Sequence, residues 1–143
     1  MLKNALRVSC AAAALVLVSQ SAFALTTPNC KAQEIEHFVK NFSHDIAIQE
    51  ASTAKTVIFE SMDMEADPEP KKVSRQVPLA DVEWPVMPDV ETLAGRKRQA
   101  EYKDGENGNK IVVIKGTDNG EYMEFEFAKQ PCWTLVRVSD ESM

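Results

Sequence analysis

Few chemical signatures are present in this 143-residue chain, and each gap closes off a class of function. Glycine is scarce, at 5 residues, and no glycine-rich loop cradles a phosphate or dinucleotide. No serine stands in a nucleophile elbow. There are 2 histidines, His37 and His44, and no His-x-x-x-His or Cys-x-x-Cys spacing, so neither a metal site nor a cofactor is expected. No apolar run reaches the roughly 20 residues that a membrane helix needs.

The N-terminus carries the first positive signal. Lys3 and Arg7 precede an apolar run from Cys10 to Val18, then a polar step, then Ala22-Phe23-Ala24. That order is an export signal, and cleavage after Ala24 is expected. The predicted location is the periplasm or the secreted space, and residues 25–143 form one domain. Losing the signal moves the formal charge from −6 to −8, because it holds two bases and no acid. Such a protein repels nucleic acid and anionic bilayers and favours a basic protein partner. Cys10 leaves with the signal. Cys30 and Cys132 most simply pair in an oxidising compartment, with two free thiols or an intermolecular bridge as alternatives.

The periodicities predict an α+β domain, an N-terminal amphipathic helix packed on a C-terminal antiparallel sheet of three to five strands. Thr27-Pro28 reads as a helix start. Ile35, Phe38, Val39 and Phe42 form one apolar face. The helix either continues to about residue 50 or breaks at Ser43, with Ser43 as a new cap. Val57–Phe59 reads as a strand, and 61–72 (SMDMEADPEPKK) as a mobile acidic loop. Val73–Pro88 has room for one edge strand among its prolines. Asp89 caps a short helix ended by Gly95. Arg96–Lys103 offers a partner strand. Ile111–Ile114, Tyr122–Phe127 and Cys132–Val138 are strands, and Asn119-Gly120 makes a hairpin turn through positive φ.

Phe38-Val39-Lys40-Asn41-Phe42-Ser43, Asp45, Gln49, the run at Phe59, the strand Tyr122–Phe127 and Trp133-x-Leu135-x-Arg137-Val138-x-Asp140 resemble exported domains of the nuclear-transport-factor-2-like class. The resemblance implies a cone, a curved sheet wrapped over helices, whose open end holds a ligand or an active site. Members include enzymes, small-molecule binders, protein-contact modules and toxin-neutralising proteins, so the fold alone assigns no function.

Four side chains are candidates for partner or ligand binding. Trp84, beside a proline, is a large aromatic in a loop, a residue type enriched at interface hot spots. Tyr122 and Arg137 would line a pocket on the concave face. His37 is the histidine best placed for a general base, against the simpler reading of a residue at the edge of the apolar face. Trp133 reads as core beside the disulfide. Arg96-Lys97-Arg98 reads as a solvated basic run, and the acids of 61–72 lack the spacing of a calcium loop. Together these features predict a non-catalytic binding protein, of inhibitor or immunity type, with a small-ligand binder or a cavity enzyme as alternatives.

Overall fold

The computed structural model describes Cys30 and residues 34–143. The export segment and the helix start at Thr27-Pro28 lie outside the described residues. Helix α1 (Ile35–His44) begins after Glu34, which is extended and makes no side-chain cap bond. Its apolar spacing turns Phe38, Val39 and Phe42 inward, all buried. The helix runs through Ser43 to His44, so it neither reaches residue 50 unbroken nor restarts at Ser43. It stops at Asp45, whose backbone is extended and whose carboxylate accepts from the Ala47 N–H at 2.8 Å, capping α2 (Ile46–Ala51). Ser43 is buried instead, accepting from the Val90 N–H at 3.1 Å.

Six strands follow: β1 (Thr53–Asp63), β2 (Lys71–Pro78), β3 (Arg98–Asp104), β4 (Lys110–Gly116), β5 (Tyr122–Lys129) and β6 (Trp133–Asp140). They form one sheet in the order β2-β1-β6-β5-β4-β3. Two expectations are corrected here. The sheet has six strands rather than three to five, and it is mixed, because β1 and β6 run parallel while all other neighbours are antiparallel. The acidic loop shrinks to 64–70, since β1 continues to Asp63 and β2 starts at Lys71. Strand β2 is the predicted edge strand.

Helix α1 lies on one face of the sheet. Phe127 meets Phe42 edge-on at 5.1 Å between ring centroids and Phe38 at 5.5 Å. Phe125, Val112, Ile114, Leu135 and Val57 belong to the same core. Such edge-to-face aromatic contacts add to area burial and fix the helix position. The Cys30–Cys132 disulfide, with 5.4 Å between Cα atoms, ties the chain ahead of α1 to the turn before β6. Trp133 is buried in the core beside it.

Residues 79–97 cross from β2 to β3 in three 3₁₀ turns, Leu79–Asp81, Val90–Thr92 and Ala94–Arg96. Asp89 caps the second as expected, accepting from the Glu91 N–H. Lys97, at φ 55°, ends the third rather than Gly95. Gln49, 1 % exposed, clamps this crossing to α2. Its carbonyl accepts from the Val86 and Met87 N–H groups at 2.8 and 3.2 Å, and its amide donates to the Met87 carbonyl at 3.1 Å.

The hairpin predicted at Asn119-Gly120 joins β4 to β5, but without positive φ. Asn119 works through its side chain, which accepts from the Glu121 N–H at 3.0 Å. Gly120 is needed for space, because a Cβ there would sit 2.1 Å from the Met143 carbonyl oxygen. The left-handed Asn-Gly pair is found one hairpin earlier, at Asn107 (φ 54°) and Gly108 (φ 79°), between β3 and β4.

Candidate functional site

Helix α1 covers only part of the sheet's inner face. Beside it, the segment after β2 leaves a cleft of about 440 Å³. Alternation along the strands sets its floor. Phe59 on β1 shares the inner face with Val57, and Val138 on β6 stands opposite Phe125. Met123 on β5 extends this apolar floor, and Val82 and Val86 of the crossing form a wall. On β2 the pairing of Arg75 with Phe59 carries the guanidinium to 5.5 Å from the Phe59 ring centroid. The rim bears Asp81, Glu83 and Asp140, all exposed. Asp81 and Glu83 flank buried Val82 and make no ion pair with any described residue. The cleft therefore joins an apolar floor to a carboxylate rim with a single guanidinium.

On the opposite face of the sheet sits a network centred on Arg137. Strict alternation from Trp133 and Leu135 would point Arg137 into the core. A bulge intervenes: Glu126 pairs with Arg137 but Phe127 pairs with Leu135, so Val136 is an extra residue. The bulge turns Arg137 outward and Val138 inward. The guanidinium then donates to Glu126 at 2.7 Å and to Glu60 and Glu124 at 3.1 Å each. Lys103 also binds Glu124, at 2.5 Å, and Asn109 donates to Glu126 at 2.8 Å. Burial pushes the Glu124 and Glu126 carboxyls up, but the hydrogen bonds from Lys103, Asn109 and Arg137 outweigh it and hold both below the ordinary glutamate value. Burial likewise disfavours charge on Arg137, and the carboxylates reverse that, raising its pKa.

The four sequence candidates separate in the structure. Tyr122 and Arg137 come together, but on the outer face rather than in a concave pocket: the Tyr122 hydroxyl donates to Glu124 at 3.2 Å. Tyr122 is outward because it shares its parity on β5 with Glu124 and Glu126. Trp84 is half-buried and packs against the core, while its neighbours Glu83 and Pro85 line the cleft. His37 is exposed on α1. Arg75, Asp81 and Glu83 carry no sequence signal of a site, and Asp140 stands in the sequence only as the end of the Trp133-x-Leu135-x-Arg137-Val138-x-Asp140 pattern. The nearest to a signal is the polar-apolar-polar step of Asp81-Val82-Glu83.

Comparison with solved structures adds one finding. A protein of Bacteroides fragilis NCTC 9343, described as an NTF2-like protein, superposes with a TM-score of 0.55 at 19% sequence identity. The fold is NTF2-like. The match covers 81% of this chain and 50% of the other, so the chain spans half the length of that protein. At that identity the NTF2-like match speaks for architecture alone, and the site's chemistry must come from this chain's own residues. No protein-family model matches the sequence, and no curated protein matches it.

Proposed function

We propose that this is an exported, non-catalytic binding protein whose inner-face cleft receives a basic group presented by a protein partner, in an inhibitor or immunity-type role. The observation that carries the reading is the rim of Asp81, Glu83 and Asp140 above the apolar floor of Phe59, Met123 and Val138. A lysine or arginine side chain matches that combination, since its methylene stem is apolar and its head is cationic. The charge of −8 expected after signal removal acts in the same direction at long range, steering basic surfaces toward the protein.

The test is affinity capture from periplasmic extract at low and high salt, comparing the wild type with Asp81→Asn/Glu83→Gln. The expected result is a specific protein held by the wild type at low salt, released by high salt, and lost by the variant. Equal retention by the variant, or no charge-dependent capture, overturns the reading. A second reading, a small apolar amine as the ligand, draws on the cleft's volume, which falls in the roughly 300–1,000 Å³ range of small-molecule sites. In that case an amine found in the same extract raises the melting temperature of the wild type and not of the variant.

A further inference from the structure

We propose that His44, Asp89 and Glu91 form a binding site for a divalent transition ion of the zinc type, away from the cleft. Each residue offers one ligand atom, and these atoms lie within 4.8 Å of one another. His44 Nδ1 is already 2.9 Å from Asp89 Oδ2. Tetrahedral bonds to zinc of about 2.0–2.2 Å place ligand atoms roughly 3.3–3.6 Å apart. Closing the set therefore asks for side-chain rotation at two exposed residues, His44 and Glu91. The donor set, one imidazole nitrogen and two carboxylates, suits a borderline ion such as Zn²⁺ or Co²⁺. Calcium asks for more oxygen ligands than are present.

The backbone under these ligands is fixed from below. His44 closes α1, and the break at Asp45 leaves its ring at the helix end. Asp89 and Glu91 belong to the crossing segment, 45 residues further on in the case of Asp89. Two buried side chains hold the pieces in register: Ser43 takes the Val90 N–H, and Gln49 clamps Val86 and Met87. Asp89 is itself divided between tasks. Its Oδ1 caps the 3₁₀ turn by accepting from the Glu91 N–H at 2.9 Å, which aims Oδ2 at His44. A hydrogen bond from the backbone to the second carboxylate oxygen is the outer-shell support that metal ligands commonly have. Beside the set lies a cleft of about 390 Å³, lined by His44, Asp89 and Thr92 among others, which leaves room for water in the fourth position. Lys40 competes for Glu91, its Nζ lying 2.6 Å away, and Arg96 lines the same cleft.

The experiment is calorimetric titration of the oxidised, metal-stripped protein with Zn²⁺ and with Ca²⁺, supported by the visible absorption of a Co²⁺ complex. One Zn²⁺ per chain is expected. His44→Ala, Asp89→Asn and Glu91→Gln each weaken it by about tenfold or more. Asn keeps the cap at position 89, so folding is retained there, and circular dichroism of each variant confirms it. Lys40→Met, which frees Glu91, tightens binding by up to about fivefold. No zinc binding, preference for Ca²⁺, zinc binding untouched by the three ligand variants, or weaker binding by Lys40→Met overturns the site.

Discussion

Replacing Arg137 by methionine removes one cation from among Glu60, Glu124 and Glu126. The four side chains are only 12–19% exposed. Lys103 still serves Glu124, and Lys72 approaches Glu60 at 3.6 Å, but Glu126 keeps only Asn109. Breaking a pair of this burial costs about 3–5 kcal/mol, because it strands a desolvated charge. For a domain of this size that is a fall in melting temperature of some 10–20 °C. The pH dependence has a definite sign. In the wild type the carboxyls of Glu124 and Glu126 are held low, so their stabilisation is complete above the ordinary glutamate range and is lost as pH falls through the lowered values. Without Arg137 the crowded carboxylates repel, their pKa values rise, and protonation relieves the variant. Urea unfolding at pH 7 and near pH 4.5 measures both effects. The gap between the two proteins is large at pH 7 and narrows on acidification, and adding Glu126→Gln to the variant recovers part of the loss. A loss at pH 7 below about 1 kcal/mol, the value of an exposed pair, would refute the argument, as would a gap that stays constant with pH.

Two further outcomes are expected. The Cys30–Cys132 bridge closes a loop with a sequence separation of 102, worth about 4–5 kcal/mol on chain-entropy grounds, so reductant lowers the melting temperature sharply. A melting curve indifferent to reductant contradicts this. Gln49→Leu leaves the Val86 and Met87 N–H groups without acceptors in the interior, at a cost of about 2–4 kcal/mol. The urea midpoint falls while the m-value stays constant; an unmoved midpoint would show that the crossing segment finds other partners.

The parts of the fold that sequence made visible are those with local patterns. The face Phe38, Val39 and Phe42 and the alternation Met123-Phe125-Phe127 need no distant partner to be recognised. Strand β2 carries no such pattern, since Val77 is its only buried residue, and its conformation comes from pairing with β1. The parallel contact between β1 and β6 is a tertiary choice that neither segment announces. The site followed the same division. One extra residue at Val136 decides which face Arg137 occupies, and a bulge leaves no composition signature. The cleft draws on β1, β2, β5, β6 and the crossing segment, so residues such as Arg75 and Asp140 gain meaning only once the sheet exists. Of the two Asn-Gly pairs, which one takes the left-handed conformation is set by loop length and by the approach of Met143 to Gly120.

Because β6 lies between β1 and β5, the last strand made is the one that joins the β1–β2 hairpin to the β3–β5 meander. A chain still emerging from the ribosome holds two separate strand groups with no ladder between them. Order must therefore arrive late and over long stretches of sequence, which slows folding. A stop codon that removed only the stretch from Trp133 onward would delete the seam of the whole sheet, where an equal loss from an edge strand would merely trim it.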